Sequence, residues 1–362
     1  MADAPPRPQS VAGLGTSNIS ELPVLVPCRQ LVCPVCRACP QRTSMFMFRR
    51  RRAALVRSLL KARVRKKDDD EVRNLLMKKL DEGQLEDLLR AVETRGGTAS
   101  CIIAGSSSDP AFLTCRNWRW PDLDSPCQLK KLPVCRSSAA APCCNPFHWS
   151  RLYSPESPPP PPYSRFCSES LKPEDRAPSE SSQLELRGSL STNGEEVHPG
   201  WCRLAYWELS MRVGRQFPVH NQSVNVFWHL PHGDGLSLRT LAANEPQPPS
   251  AVLKARDKIG KGVTLSKEDD GIWAFNRSDS PIFVNSPALD DPDSRFFLVY
   301  RVPPGHCLNI YSGTPRAPRC QSGPIDLNSV RISFAKGWGP KYSRQDITAC
   351  PVWLEILMAP CR

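Results

Sequence analysis

Three cysteines and one histidine have the residue types and the spacing that could bind a metal ion. They are Cys101, Cys135, Cys143 and His148. Three thiolates and one imidazole form a common ligand set for tetrahedral, structural zinc. Within Cys143-Cys-Asn-Pro-Phe-His148, an Asn-Pro turn would fold the imidazole back toward the thiolate. Spacing alone leaves two alternatives open: Cys144 could replace Cys143 as a ligand, or the cysteines could be small buried hydrophobic residues.

Four cationic residues of the C-terminal half form a second candidate site. Lys254 and Lys258 lie four residues apart in a stretch typical of a short helix, so their ammonium groups would share one face. Lys336, in Lys336-Gly-Trp-Gly, and Arg344 add two charges from a later loop. Such a surface would favour a negatively charged partner. An ordinary scatter of surface charges is the alternative.

A proline tract contains a candidate docking peptide. Pro160, Pro161, Pro162 and Tyr163 form Pro-Pro-x-Tyr, the form that WW domains bind. Prolines pre-form the polyproline helix, so little entropy is lost on docking, and the tyrosine fills a separate pocket. A chance proline tract is the alternative, because the 38 prolines of this chain are about twice the average share.

Charge and cysteine usage narrow the class of protein. The net charge is +12, and about ten lysines and arginines lie between Arg49 and Lys67. That segment could bind phosphates, acidic membrane surfaces or import receptors, or it could be a solvated helix face. Residues 1–20 lack the apolar core of a secretory signal, so we expect reduced thiols rather than disulfides. Residues 22–35 are too short and too rich in proline to insert into a membrane.

No enzyme chemistry is indicated. The chain has no nucleotide-binding loop, nucleophile elbow or paired-carboxylate motif. A metal ion held by four protein ligands has no open position for water, which favours a structural ion over a catalytic one.

The elements that would position these residues form an α+β chain. Apolar residues at helical spacing predict two helices, over Val72–Leu80 and Leu85–Val92. From Trp201 onward, short alternating runs predict a β-sandwich with flanking helices, including a short basic helix or turn at 250–258. The predicted domains are a disordered extension (1–46), a small helical, zinc-stabilised domain (47–153), a disordered Pro/Ser-rich linker (154–198) and the sandwich (199–362).

The N-terminal domain resembles that of Smad proteins. Trp118-Arg-Trp-Pro-Asp-Leu123, followed by Cys-Asn-Pro-Phe-His148, is similar to the N-terminal Mad-homology domain. The resemblance implies one structural zinc ion bound by Cys101, Cys135, Cys143 and His148. DNA-binding members place a basic hairpin before the Trp-Arg-Trp-Pro segment, but residues 102–114 contain no lysine or arginine. We therefore expect no sequence-specific DNA binding by this domain.

The C-terminal domain resembles the second Mad-homology domain, a Smad/FHA-like sandwich. Trp201-Cys-Arg-Leu-Ala-Tyr-Trp-Glu208, Asp270-Gly-Ile-Trp273 and Ser333-Phe-Ala-Lys-Gly-Trp-Gly339 match it. Signal-transducing members end in Ser-x-Ser, whereas the last hydroxyl-bearing residue here is Thr348. With the missing hairpin, this ending resembles an inhibitory Smad, an antagonist of transforming-growth-factor-β (TGF-β) and bone-morphogenetic-protein (BMP) signalling.

The resemblance implies partners and a mechanism. The four cations would line a groove for activated, phosphorylated type I receptor kinases, and the domain would also bind receptor-regulated and common-mediator Smads. The Pro-Pro-x-Tyr peptide would recruit HECT-class ubiquitin ligases through their WW domains. The expected location is the cytoplasm and the nucleus. The alternative function is a nuclear transcriptional corepressor that acts on DNA-bound Smads or other factors.

Overall fold

The structure is a computed structural model that describes residues 40–63, 69–97, 100–103, 115–138, 143–154, 200–230, 233–244, 248–290, 298–312 and 328–359. The chain divides between Met47 and Phe48 into two units. The second unit, residues 48–362, contains every contact described below.

Three helices begin the chain: α1 (Pro40–Lys61), α2 (Asp69–Lys79) and α3 (Glu82–Glu93). The two predicted helices are therefore confirmed as α2 and α3. A capping box starts α3, because the Asp81 side chain accepts from the Gln84 backbone and the Gln84 side chain accepts in return. The helices bury a shared core that includes Val56, Leu59, Leu76, Leu85 and Leu88.

Helix α1 differs from the sequence-based expectation at its start. It begins at Pro40, so residues 40–46, which the sequence predicts to be part of a disordered extension, belong to this helix. Its basic residues also have local partners. Arg52 donates to the carbonyls of Met77 and Leu80 at 2.6 Å each, which caps the C-terminus of α2.

Two short strands follow, β1 (Leu129–Lys131) and β2 (Trp149–Leu152). They pair antiparallel, with Lys130 opposite Ser150. A 3-10 helix, Pro146–His148, leads into β2.

The C-terminal half is a two-sheet sandwich, as the sequence predicts. Its first strands are β3 (Cys202–Glu208), β4 (Met211–Val219), β5 (Ser223–Phe227), β6 (Gly235–Ser237), β7 (Val263–Glu268) and β8 (Gly271–Asn276). The others are β9 (Ile282–Asn285), β10 (Tyr300–Val302), β11 (His306–Tyr311), β12 (Ser329–Phe334) and β13 (Trp353–Met358). Helices α4 (Leu238–Leu241) and α5 (Ser250–Ile259) lie between β6 and β7 in the chain.

One sheet has the order β1-β2-β11-β8-β7-β5-β6 and the other β10-β9-β12-β13-β3-β4. Their facing side chains form the main core, which includes Leu204, Val226, Leu265, Ile332 and Leu354. Burial of these apolar residues is the main force that holds the two sheets together.

The first sheet joins the two halves of the chain. Strand β2 pairs parallel with β11, where Arg151 lies opposite His306. The Arg151 amide donates to Gly305 and the Tyr153 amide to Cys307, both at 2.9 Å. The sequence did not predict this pairing.

Strand β10 differs from the sequence-based expectation. The sequence predicts a strand over 296–300, whereas the structure has β10 at Tyr300–Val302, and residues 291–297 lie outside the described residues.

Within the described part of the chain, no helix combines the length and apolar character needed to cross a bilayer.

Candidate metal centre and basic surface

The structure brings the four predicted metal ligands into one cluster. The ligand atoms of Cys101, Cys135, Cys143 and His148 all lie within 4.8 Å of one another. Each comes from a different short segment. Cys101 follows α3, Cys135 lies in the turn after β1, Cys143 forms an isolated bridge with Ile103, and His148 ends the 3-10 helix before β2. The Asn-Pro turn forms as expected, because the Asn145 side chain accepts from the Phe147 amide at 2.9 Å and starts that helix.

The spacing of the ligand atoms fits one tetrahedral ion. The Sγ atoms of Cys101 and Cys135 are 3.9 Å apart, and the Nδ1 atom of His148 lies 3.5 Å from the Sγ of Cys101 and of Cys143. Metal–sulfur bonds of about 2.3 Å and metal–nitrogen bonds of about 2.0–2.1 Å place ligands about 3.8 and 3.6 Å apart at tetrahedral angles. The cluster could therefore bind a metal ion.

The sulfur atoms of the cluster interact with backbone amides and with one another. The Sγ of Cys143 accepts from the Ile102 and Asn145 amides at 3.2 and 3.3 Å. Interaction with Cys143 lowers the pKa of Cys135 to about 3, and the same interaction raises the pKa of Cys143. Burial raises the pKa of Cys101. A bound cation would favour the thiolate at all three positions.

The two alternative ligands are distinguished by their positions. Cys143 lies in the cluster, whereas Cys144 packs with Cys115 in the core of the three helices. The end of α3 is also held close to the cluster. Gly96 has a φ of 78°, and a Cβ there would lie 2.7 Å from the side chain of Phe147, so the close approach requires glycine.

Sequence reasoning missed the buried arginine beside the cluster. Arg116 is fully buried, donates to the Cys143 carbonyl at 2.9 Å and stacks 4.2 Å from the Trp149 ring centroid. Trp149 donates from Nε1 to the same carbonyl at 2.9 Å. Burial lowers the pKa of Arg116 to about 9. These bonds fix the backbone of a ligand, but a lone arginine in the sequence carries no signal of burial.

The four cations of the predicted basic surface lie on two segments that the fold connects. Lys254 and Lys258 are exposed on α5, which packs against β12, the strand that leads into Lys336. Arg344 is half-buried, and its carbonyl accepts from Gly339 at 2.7 Å in the same loop. Among the described residues, none of these four cations forms an ion pair.

A buried ion pair, which sequence reasoning also missed, anchors α5. Arg256 donates from Nε and Nη2 to both oxygens of Glu208, at 2.7 and 2.8 Å, and both residues are 8% exposed. The Tyr206 hydroxyl donates to the same carboxylate at 2.7 Å. Trp228 covers the guanidinium at 5.3 Å. The bond ties the helix that carries Lys254 and Lys258 to strand β3.

Two predictions concern segments that the structure does not cover. Pro160, Pro161, Pro162 and Tyr163 lie outside the described residues. So does most of the interval 102–114 in which DNA-binding Smads carry a basic hairpin.

Comparisons with known proteins agree with this architecture. An MH1 domain matches residues 69–153, and an MH2 domain matches residues 199–359. Mothers against decapentaplegic homolog 6 of Gallus gallus is 44% identical over 322 residues, covering 78% of this chain and 73% of that protein. Homolog 7 of Homo sapiens is 39% identical over 327 residues, covering 78% of this chain and 76% of that protein. Dwarfin sma-3 of Caenorhabditis elegans is 29% identical, covering 76% of this chain and 81% of that protein.

An MH1 domain followed by an MH2 domain defines the Smad class, and this chain belongs to the Smad family. The higher identity to homologs 6 and 7 than to sma-3 assigns it to the inhibitory Smads of TGF-β and BMP signalling.

Proposed function

We propose that this protein inhibits signalling stoichiometrically, through its MH2 domain, by occupying activated type I receptors and by binding partner Smads. It acts as an adaptor without enzyme activity, in the cytoplasm and the nucleus. The observation that carries the proposal is that Lys254 and Lys258 lie exposed on α5, which packs against β12, the strand that leads into the loop of Lys336 and Arg344.

The charges of this surface are available to a partner. Lys254 and Lys258 point away from the core, since Val252, Ala255 and Ile259 bury the opposite face of α5. Neither lysine forms an ion pair among the described residues. Phosphorylated serine and threonine carry nearly two negative charges, so a phosphorylated receptor segment complements this surface.

Binding to a receptor kinase domain tests the proposal. We expect the full chain to bind the phosphorylated type I kinase domain and to bind the unphosphorylated form at least about tenfold more weakly. A variant with all four cations changed to alanine should lose at least about 100-fold in affinity, because each charge-assisted bond contributes about 1.5–3 kcal/mol. Surface plasmon resonance at physiological salt measures both effects.

The matched control removes four other exposed cations. A variant with Arg203, Arg212, Arg215 and Arg239 changed to alanine lowers the net charge by the same amount. It should bind as the wild type does. Equal loss in both variants would show that only net charge matters, and no binding to either receptor form would leave nuclear corepression as the function to pursue.

We propose that the Pro-Pro-x-Tyr peptide recruits HECT-class ubiquitin ligases to the bound complex. Tyr163→Ala should reduce the affinity for an isolated WW domain by at least about tenfold, because the tyrosine pocket is left empty. Isothermal titration of the full chain measures this loss. This variant should bind the receptor as the wild type does. As a control, Tyr153→Phe should bind the WW domain with the wild-type affinity. Undiminished WW binding by the Tyr163 variant would contradict this role.

We propose zinc as the ion of the cluster, in a structural role. The support is the ligand set, three thiolates and one imidazole, and the fit of its distances to a small tetrahedral ion. The ion would join the end of α3 to the turns around β1 and β2, which have little core of their own. We also propose that the MH1 domain does not bind DNA sequence-specifically, since residues 102–114 contain no cation.

A further inference from the structure

A second group of cations lies in a cleft where the MH1 and MH2 domains meet. Arg119 comes from the MH1 domain, and Lys261 and Arg277 come from the MH2 domain. All three are half-buried. The cleft is narrow and open on one side, with a cavity volume of about 20 Å³, and Ser150 also lines it. None of these residues belongs to the metal cluster or to the basic surface of α5.

Within the part of the chain that the structure describes, the cations of this cleft lack a directly paired carboxylate. Among the described residues, no carboxylate forms an ion pair with Arg119, Lys261 or Arg277. The carboxylate that acts on Arg119 and Lys261 is that of Asp279, which is exposed and makes no hydrogen bond or ion pair with them.

Like-charge repulsion is visible in the acid–base properties of the three groups. Burial and then the Arg277 guanidinium lower the pKa of Arg119 to about 10. Burial and then Arg277 also lower the pKa of Lys261, and burial lowers the pKa of Arg277. The proximity of these cations costs free energy that an anion would offset.

Neighbouring groups hold the cations in place. Arg119 donates to the Trp149 carbonyl at 3.1 Å and lies 4.9 Å from the Trp120 ring centroid and 5.1 Å from that of Phe147. Lys261 donates to the Arg95 carbonyl. Arg277 donates to Asn225 at 3.4 Å. Because each side chain makes few of its possible bonds, donors remain for a ligand in the cleft.

We infer that this cleft binds a phosphate group and that Arg119, Lys261 and Arg277 are the residues that hold it. Two guanidinium forks and an ammonium group suit a tetrahedral dianion, which accepts several charge-assisted bonds at once. The enclosed space is far smaller than the roughly 300–1,000 Å³ of sites for organic ligands and has room for about one ligand atom. A phosphate group would therefore place one oxygen in the cleft and keep the others at its open side, whereas a nucleotide would not enter. A bound phosphate would also link the two domains, because its ligands come from both.

Titration of the full chain with inorganic phosphate tests the inference. We expect saturable binding of one phosphate per chain by isothermal titration calorimetry, in a buffer of constant ionic strength adjusted with chloride. The double variant Lys261→Met, Arg277→Leu should bind at least about tenfold more weakly. The matched control, Lys267→Met with Arg301→Leu, removes two exposed cations elsewhere in the MH2 domain and should bind as the wild type does.

Thermal unfolding separates a lost site from a misfolded variant. Without phosphate, the Lys261/Arg277 variant should melt at the wild-type temperature or above it, since repulsion is relieved. Phosphate stabilises many proteins nonspecifically, so the rise in melting temperature on adding phosphate is compared between variants. We expect a larger rise in the wild type and the control than in the cleft variant. No saturable binding by the wild type, or equal affinity in the cleft variant, would overturn the inference.

A second arm identifies the source of the phosphate. A short peptide with one phosphoserine is titrated into the same proteins. Tighter binding than inorganic phosphate, lost in the cleft variant, indicates a phosphorylated protein segment as the occupant. Equal or weaker binding, lost in the same variant, indicates the free anion. If the peptide still binds the cleft variant and inorganic phosphate binds neither protein, the inference is overturned.

Discussion

Replacing Cys143 with serine should remove the metal ion and loosen the part of the MH1 domain around it. Serine has nearly the same size, but its hydroxyl group stays protonated at neutral pH and is a poor ligand. We expect the metal content to fall from about one zinc ion per chain to near zero, measured by mass spectrometry of the purified protein. Hydrogen exchange over 100–103, 129–138 and 143–152 should accelerate strongly, because the ion replaces a missing core there.

The adjacent residue provides a control matched in chemistry and burial. Cys143 and Cys144 are both 0% exposed, yet only Cys143 belongs to the cluster. Cys144→Ser should therefore retain the metal while losing some stability through the helical core. Equal metal loss in both variants would show that packing, and not coordination, explains the result. Full metal content in Cys143→Ser would rule out this residue as a ligand.

Replacing Arg256 with methionine should destabilise the MH2 domain by about 3–5 kcal/mol, because it leaves the buried Glu208 carboxylate without its partner. Urea unfolding of the full chain, followed by tryptophan fluorescence and near-ultraviolet circular dichroism, measures the shift in midpoint. Arg212→Met, at an exposed position on β4, should change stability by no more than about 0.5 kcal/mol.

A double variant tests the cause of that loss. Changing Glu208 to leucine together with Arg256 to methionine removes both charges, so the double variant should be more stable than Arg256→Met alone. If Arg256→Met costs less than about 1 kcal/mol, the ion pair does not anchor α5. If the double variant is the less stable of the two, lost packing outweighs the unpaired charge.

The sequence predicted the residues of the Cys/His cluster and the main elements because their signals are local. Cys143 and His148 lie on either side of an Asn-Pro turn, which forms as expected. Helices α2 and α3 follow from apolar spacing, and Asp81 with Gln84 marks the start of α3. The strands of the sandwich follow from alternation.

What could not be predicted depends on partners that are distant in the chain. Arg116 and Arg256 read as surface residues, since arginine is seldom buried without a partner. Glu208 lies 48 residues from Arg256, and no pattern in the sequence links them. The pairing of β2 with β11 joins segments about 150 residues apart, so only the folded chain shows it.

That pairing has a consequence for the MH2 domain as a separate piece. Strand β2 covers the side of β11 that β8 leaves free, and it satisfies the carbonyls of Gly305 and Cys307. Without the MH1 domain, β11 would become an edge strand with unpaired backbone groups, which can template the addition of another strand. By pairing with β11, the MH1 domain shields this edge of the MH2 sheet from the addition of another strand.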